Sequence, residues 1–283
     1  MAMTKQKITS RAVTAMILMA LEQGLDTTWP GQVGMFMTSD QASEEYAWLS
    51  NAPVLREWLG GRQAKGFTEN SIEVKNKKFE ATLAIMLDDL RRDKTGQLQI
   101  RINQLAQRVN THWATLLTTL IDNNVKAYDG KNFFASDHKE GNSGTQRNLF
   151  TKTQIGELDV TTATRPTPKE AADALMAVIE KFYGLKDDQG EPLNEGAQGF
   201  LVMVPISFWA AFRQAVSSQF LSSGAGAVDN PLSAANDIGI TVAPNPRLSW
   251  TTDFAVFRTD DLAKPFILQE EEAPVVSAIA EGS

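Results

Sequence analysis

The sequence predicts an α+β fold, because helical and strand patterns alternate along it and neither type dominates. Three observations support this prediction. Apolar residues recur every three or four positions over 97–125, which indicates one amphipathic helix about 40 Å long. The compact apolar run at 199–204, directly before Pro205, is typical of a buried strand. Beyond residue 165 helical and strand segments interleave, and no internal repeat is evident.

The first third of the chain predicts an arm and then an extended excursion. Residues 1–45 form the arm, with an amphipathic helix over 10–23. Residues 46–88 are predicted to run out and back as two strands, because 71–74 alternates polar and apolar residues. The pair Gly60-Gly61 would let the outer part of this excursion turn.

The second half carries a clear helix start. Thr167 is placed as an N-cap, Pro168 as the first helical residue and Glu170 as the partner of a capping box. This pattern predicts a helix over 168–182. The other elements predicted there are a helix at 207–221, a small flexible loop at 222–230 and strands at 199–204, 238–242, 254–257 and 266–268.

The composition argues against several classes of function. The chain has 283 residues, enough for about two domains, with a net charge of −7 and a pI near 5.0. Proteins that grip nucleic acid by its phosphates are usually basic, so strong DNA binding is disfavoured, although an acidic wall could still enclose DNA. The absence of cysteine excludes disulfides and thiolate metal sites. The apolar run at 15–21 is too short to span a membrane.

Residues that could carry catalysis are sparse. His112 and His138 are the two histidines of the sequence, and a structural role is expected for His112. Ser136-Asp137-His138 contains the residue types of a catalytic triad, but consecutive residues cannot adopt the geometry of a proton relay. The run GAGAVD at 224–229 lacks the third glycine of a dinucleotide loop. We therefore expect no catalytic residue, cofactor or metal site.

Four sequence clusters are more informative. They read YAWL at 46–49, REWLG at 56–60, NKKFEAT at 76–82 and YDGKNFFASDH at 128–138. Trp48 and Trp58 lie among mixed charges in a segment too polar for a core, so we expect another copy of the protein to cover them. Together with Asp88-Asp89, these clusters resemble, in order, the major head protein family of Mu-like tailed phages.

The resemblance implies a Hong Kong 97-type capsid fold. It is strongest over 46–138, and the C-terminal half resembles the family only in its pattern of elements. The implied divisions are an N-terminal arm at 1–45, an extended E-loop at 46–88, a P-domain at 89–163 with a spine helix at 97–125, an A-domain at 164–254 and a C-terminal return to the P-domain at 255–283.

The resemblance also implies a function and partners. The chain would be a major capsid protein that assembles as pentamers and hexamers into an icosahedral head around double-stranded DNA, without reading the DNA sequence. Its partners would be copies of itself, a portal, a decoration protein and a scaffolding protein, the last because no scaffold-like segment precedes the arm. The protein would reside in the virion after assembly in the bacterial cytoplasm, without membrane contact.

Residues of the predicted E-loop are expected to grip a neighbouring subunit. Residues 54–78 hold six basic and three acidic residues, a local charge of +3, whereas 259–283 hold one basic and six acidic residues, a charge of −5. Charges of this kind set register and salt sensitivity, and buried tryptophans supply affinity. The predicted contact residues are Trp48, Arg56, Trp58, Arg62, Lys65, Lys77, Lys78, Glu270, Glu271 and Glu272.

Four alternatives stay open at this stage. Trp48 and Trp58 could fold back onto their own subunit, because tryptophans often lie in cores. The protein could be the shell of an encapsulin-type cellular nanocompartment, or a soluble α+β enzyme with an unrecognised site. The acidic groups at 88–89 and 270–272 could chelate a cation, although adjacent carboxylates are more often solvated.

Overall fold

The structure is a computed structural model and describes residues 29–47, 71–83, 97–156, 160–223, 226–234 and 237–276. The predicted arm helix at 10–23 lies outside these residues. The helices are α1 Trp29–Val33, α2 Gln97–Asn110, α3 His112–Asn123, α4 Pro168–Tyr183, α5 Ile206–Ser217 and α6 Pro231–Ala234. The strands are β1 Gly34–Thr38, β2 Ser43–Ala47, β3 Ser71–Lys75, β4 Gly199–Val204, β5 Phe220–Ser223, β6 Gly226–Asp229, β7 Gly239–Pro244, β8 Ala255–Arg258 and β9 Phe266–Glu270.

The predicted buried strand is confirmed as β4, the centre of a three-stranded sheet. It runs parallel to β7 on one side and antiparallel to β8 on the other. Its side chains alternate between the two faces of the sheet, and both faces are covered. Phe200, Val202 and Val204 join one hydrophobic cluster, while Leu201 and Met203 join another. A strand buried on both sides explains why its sequence is continuously apolar.

Each face of this sheet has its own layer. On one face, α4 and α5 supply Leu175 and Phe212, which are both fully buried. On the other face, α3 supplies Leu117 and Ile121, and β9 supplies Leu268. The molecule is therefore layered, with helices α4 and α5 on one side of the sheet and α3, α1 and β9 on the other. The α+β prediction is confirmed.

The apolar pattern over 97–125 forms two helices where the sequence predicts one. Thr111 separates α2 from α3, with a ψ of 1°, and its hydroxyl donates to the Arg108 carbonyl oxygen at 3.2 Å. Such a side-chain bond competes with regular helical bonding. The predicted apolar stripe continues into α3 through Trp113, Leu116, Leu120 and Ile121. Ile121 is buried as predicted, but Leu120 is 39% exposed and Leu117, outside the stripe, is buried.

The capping box predicted at Thr167 is confirmed. The Thr167 hydroxyl accepts from the Glu170 backbone N–H at 3.3 Å, and the Glu170 carboxylate accepts from the Thr167 N–H at 2.7 Å. The same carboxylate also accepts from Thr161. Desolvation opposes ionisation of Glu170, but these hydrogen bonds outweigh it and lower the pKa of the carboxyl group.

The predictions of a helix over 207–221 and a flexible loop over 222–230 are wrong at their shared boundary. Helix α5 ends at Ser217, and β5 then pairs with β6 as an antiparallel hairpin. Asn230 holds the end of α5 against the hairpin, because its buried side-chain amide donates to the carbonyl oxygens of Ala215 and Ser218, both at 2.6 Å. The run that superficially suggested a dinucleotide loop lies partly in β6.

A local repeat, which the sequence did not show, follows α3 and α4. After each helix a short hairpin closes through equivalent bonds, from Phe133 N–H to Val125 O at 2.8 Å and from Leu193 N–H to Leu185 O at 2.9 Å. The side-chain amide of Gln146 then pairs with the Lys186 backbone, accepting at 2.6 Å and donating at 2.8 Å. This pairing connects the segment that follows the first hairpin to the second hairpin.

Asp260 generates a prediction about pH and stability. Its carboxylate accepts from the Gln198 N–H and from Arg258 Nε, both at 2.8 Å. Desolvation acts against the charged form, but the bonds from Arg258 and Gln198 prevail and lower the pKa of Asp260. The resulting stabilisation is present above the ordinary carboxyl pKa and is lost as pH falls through the lowered one.

We therefore expect Asp260→Asn to reduce the free energy of unfolding of the isolated subunit by about 1 kcal/mol at neutral pH, as for a typical partly exposed charged hydrogen bond. Urea denaturation over a range of pH measures this loss, which should fade in acid. The exposed Asp237, changed to Asn, serves as the control. A deficit for Asp260→Asn that stays constant down to about pH 3, below the ordinary carboxyl pKa, would contradict the assignment.

Candidate assembly surface

The β2–β3 hairpin forms the base of the excursion that the sequence predicts. Its antiparallel ladder pairs Ser43 with Lys75 at one end and Ala47 with Ser71 at the other. The predicted strand at 71–74 is confirmed, and its partner begins at Ser43, before the predicted boundary at residue 46. Ser71, Glu73 and Lys75 are exposed, so one face of the ladder is solvated. Residues 48–70 connect the two strands and lie outside the described segments.

A group of four residues attaches this hairpin to the body, and we call it the hairpin junction: Ser39, Tyr46, Asn76 and Gln269. The Tyr46 hydroxyl donates to Gln269 Oε1 at 2.8 Å. Gln269 Nε2 donates to Asn76 Oδ1 at 2.8 Å and to the Val74 carbonyl oxygen at 3.3 Å. Burial, and then the nearby Glu44 carboxylate, raise the pKa of Tyr46, so the phenol keeps the proton that it donates.

Asn76 uses its remaining polar atoms to hold the turn between β1 and β2. Its Nδ2 donates to the Gln41 carbonyl oxygen at 2.7 Å and to Ser39 Oγ at 3.1 Å. Its backbone N–H donates to the Ala42 carbonyl oxygen at 3.0 Å. Ser39 itself is buried, and its N–H donates to the Glu270 carbonyl oxygen at 3.0 Å. The junction therefore joins three separate segments of the chain.

The hairpin junction stands at the end of a parallel pair of strands. Strand β1 pairs with β9 from Gly34↔Phe266 to Thr38↔Glu270. Gly34 is required here, because a Cβ at this position would lie 2.6 Å from Leu268 Cδ1. A strand near the N-terminus of the chain and one near its C-terminus thus form the support from which the hairpin extends.

Exposed aromatic rings lie beside this support. Phe36 on β1 is 53% exposed and meets Trp113 edge to face, with ring centroids 6.0 Å apart. Phe79 is 57% exposed and meets His112 at 4.3 Å. His112 thus packs against an aromatic ring, as its expected structural role requires. The two aromatic contacts place apolar surface next to the first turn of α3.

The structure locates half of the residues predicted to contact a neighbouring subunit. Lys77 and Lys78 are exposed and directly follow Asn76 of the hairpin junction, while Glu270 directly follows Gln269. The predicted basic and acidic groups thus flank one junction within a single chain. No ion pair joins these lysines to Glu270–Glu272 among the described side chains. Outside the described segments lie Trp48, Arg56, Trp58, Arg62 and Lys65.

The triad-like run at 136–138 contributes side-chain bonds that hold a hairpin together. His138 Nδ1 lies 2.6 Å from Asp129 Oδ2, and Lys131 Nζ lies 2.5 Å from Asp137 Oδ2. The hydrogen bond from Lys131 lowers the pKa of Asp137. Neighbouring Tyr128 donates to Glu140 at 2.7 Å, and burial followed by this bond raises the pKa of Tyr128 strongly. These bonds brace the loop, and the run has a structural role here.

Two further observations concern the residues that the structure describes. They contain no group of three His, Cys, Asp or Glu side chains arranged to hold a metal ion. They also contain no helix with the length and apolar character needed to cross a membrane. The Asp88-Asp89 pair, considered as a chelator, lies outside the described segments.

No sequence pattern singled out Ser39 or Gln269 as functional candidates. Tyr46 and Asn76 do belong to the clusters that carried the family resemblance, although no role was assigned to them. Gln269 has a weak signal, since it ends the apolar run 266–268 as a neutral polar residue before three glutamates. Its partners are about 200 positions away in the chain, too far for a local pattern to indicate.

Over most of the chain, the fold is similar to that of bacteriophage capsid proteins. The procapsid of bacteriophage JBD30 aligns with a TM-score of 0.58, covering 83% of this chain and 97% of that one at 21% identity. The JBD30 capsid aligns at 0.53, with 22% identity and coverages of 76% and 90%, and a JBD30 capsid decorated with minor capsid protein trimers aligns at 0.51, with 21% identity and coverages of 77% and 90%. The predicted Hong Kong 97-type capsid fold is confirmed.

Sequence comparison defines the group within that class. Residues 11–167, more than half of the chain, match the family described as Mu-like prophage major head subunit gpT. The chain belongs to this family. It is 28% identical over 109 residues to the major capsid protein of Escherichia phage Mu, and 29% identical over 112 residues to the Mu-like prophage FluMu major head subunit of Haemophilus influenzae. These matches span 38% and 39% of this chain and 36% of each relative.

Proposed function

We propose that this chain is the major capsid protein of a tailed double-stranded DNA phage. Copies of the chain assemble as pentamers and hexamers into an icosahedral head that encloses the genome. The observation that carries this proposal is the agreement between family membership and a fold match that extends over 97% of a procapsid subunit. Because this family consists of structural head subunits, we propose that the chain has no enzymatic activity.

The proposed divisions of the chain follow the family pattern. Residues 1–45 are the arm, 46–88 the E-loop, 89–163 the P-domain, 164–254 the A-domain and 255–283 the return to the P-domain. The described sheet lies across the last of these boundaries, because β8 starts at Ala255 and pairs with β4. We therefore propose that the P-domain and the A-domain both contribute strands to this one sheet.

The proposed partners follow from the same assignment. A scaffolding protein and a portal are proposed for assembly in the host cytoplasm, and the mature protein is placed in the virion. A decoration protein is also proposed, since one JBD30 capsid is described as carrying minor capsid protein trimers. The net charge of −7 favours a wall that encloses DNA without binding it tightly. The nanocompartment and enzyme alternatives have no comparable support among the matched proteins.

The proposal predicts self-assembly. Concentrated protein, with scaffold supplied, should elute as rings or shells in size-exclusion chromatography with light scattering, and electron microscopy should show closed particles. The physical reason is the exposed apolar surface beside the hairpin junction, where Phe36 and Phe79 are more than half exposed. Particles should contain phage DNA and no enzyme cargo when they are isolated from infected cells. A protein that stays monomeric under these conditions would contradict the proposal.

Trp58 is predicted to anchor the E-loop on a neighbouring subunit. Trp58→Ala should leave the subunit folded by circular dichroism and block shell formation, because central interface tryptophans typically contribute about 2 kcal/mol or more. Leu262→Ala is the matched control, since Leu262 is 94% exposed in the subunit and its loss removes apolar surface outside the proposed E-loop. If Trp58→Ala unfolds the subunit, or if it leaves shell formation unchanged, the anchoring role is wrong.

The hairpin formed by β5 and β6 is predicted to lie near the centre of each capsomer. Phe220 and Val228 of this hairpin are 54% and 38% exposed, although Leu221 of β5 is buried. The exposed pair would contact the same hairpin of adjacent subunits, and the glycines at 224 and 226 would let it adapt to five-fold and six-fold rings. A cryo-EM map of the assembled head measures this position. A hairpin far from every symmetry axis, or identical in all subunits, would refute the prediction.

A further inference from the structure

Gln269 contacts both strands of the β2–β3 hairpin from a third strand. Through Oε1 it accepts from Tyr46 of β2, and through Nε2 it donates to Val74 of β3 and to Asn76 just beyond it. Tyr46 pairs with Ile72 in the ladder, so these contacts are separated along the hairpin axis. A single contact would leave the hairpin free to pivot, whereas separated contacts on both strands determine its direction.

The partners of Gln269 require a carboxamide. One partner is a hydroxyl that donates, and the other two are carbonyl-type oxygens that can only accept. A glutamate would present acceptors to all three partners, and a lysine would present only donors. The amide of Asn76 cannot rotate to compensate, because its Nδ2 already donates to Gln41 and Ser39. The hydrogen-bonding pattern is therefore specific for glutamine at this position.

Gln269 lies on the packed body of the subunit, so its contacts connect the hairpin to that body. It lies on β9, which pairs with β1 in register and contributes buried Leu268 to one of the two hydrophobic clusters. Its backbone is consequently part of the rigid body of the subunit. The hairpin, in contrast, leads directly into residues 48–70, which carry the proposed contact residues Arg56, Trp58, Arg62 and Lys65.

We propose that Gln269 is a positioning residue that sets the direction in which the β2–β3 hairpin leaves the subunit. It thereby sets where residues 48–70 meet the neighbouring copy of this chain. This inference rests on the proposed function for its consequence in assembly, but the orientation itself is a property of the isolated subunit. Tyr46 and Asn76 are the partners through which Gln269 acts.

The absence of cysteine from the sequence permits a direct test. Spin labels on Glu73→Cys in β3 and on the exposed Leu262→Cys report the distance between the hairpin and the body by pulsed electron paramagnetic resonance. The unassembled subunit with native Gln269 should give a single narrow distance distribution. Gln269→Glu should shift or broaden it, while the thermal unfolding midpoint stays close to the native value. Gln214→Glu adds the same charge on an exposed face of α5 and is the matched control.

A second pair of variants separates positioning from general stability. Tyr46→Phe removes only the hydroxyl that donates to Gln269, so it should broaden the distribution partly in the native background. In a Gln269→Ala background it should add nothing, because its partner is already gone. If the two changes broaden the distribution independently, Gln269 does not act through Tyr46 and the inference is overturned. This comparison also replaces Gln269→Glu if that variant fails to fold.

Assembly of the unlabelled variants completes the test. Gln269→Glu, which loses both bonds donated by Nε2, should lower the yield of particles relative to native protein, and Gln214→Glu should match native protein. An unchanged distance distribution in Gln269→Glu would overturn the positioning role and leave the proposed function intact. If native subunits show the expected distances but never assemble, the proposed function is wrong, whereas the positioning role of Gln269 still holds.

Discussion

Burial of β4 on both faces is the constraint on which the rest of the described structure depends. Five consecutive apolar side chains cannot be covered by one layer, because alternate residues point to opposite sides of a sheet. The chain solves this by placing α4 and α5 on one face and α3, α1 and β9 on the other. Helix α3 and the C-terminal strand β9, which are far apart in the sequence, are thereby brought to the same side of the sheet.

That arrangement determines where the β2–β3 hairpin is attached to the body of the subunit. Because β9 packs against the second face and pairs with β1, its last residues reach the start of the β1–β2 turn. Gln269 and Asn76 meet there, although 193 positions separate them in the chain. A small set of hydrogen bonds, most of them between neutral groups, then attaches the excursion to a well-packed body. Neutral groups suit this position, since a buried charge would need a partner of its own.

Charged groups have a different role from these neutral bonds. Lys77 and Lys78 are exposed and directly follow Asn76 of the hairpin junction, and Glu271 and Glu272 are exposed shortly after Gln269. Exposed charges contribute little to the stability of one subunit, because water and salt screen them. They remain available for a partner, where they influence the rate and register of association. The separation of neutral internal bonds from exposed charges agrees with a subunit whose excursion serves a neighbouring copy.

The helix–hairpin repeat shows that two largely different local sequences can form the same structure. Gly130 and Gly190 both adopt positive φ, at 76° and 92°, and each follows an aspartate-containing turn. Because most other residues of the two hairpins differ, the hairpins share too little sequence for the repeat to be detected. The pairing of Gln146 with the Lys186 backbone, and the bond from the Asn142 N–H to the Asp188 carbonyl oxygen at 2.8 Å, connect the segment that follows the first hairpin to the second hairpin.

Local features of the sequence determined several elements by themselves. The capping box at Thr167 and the apolar run at 199–204 predicted α4 and β4, since each depends on neighbouring residues alone. The alternation at 71–74 predicted β3 for the same reason. Tertiary structure decided the break at Thr111, the β5–β6 hairpin held by buried Asn230, and the role of Gln269. Each of these depends on hydrogen bonds or packing between chosen partners, which a local pattern of polar and apolar residues does not encode.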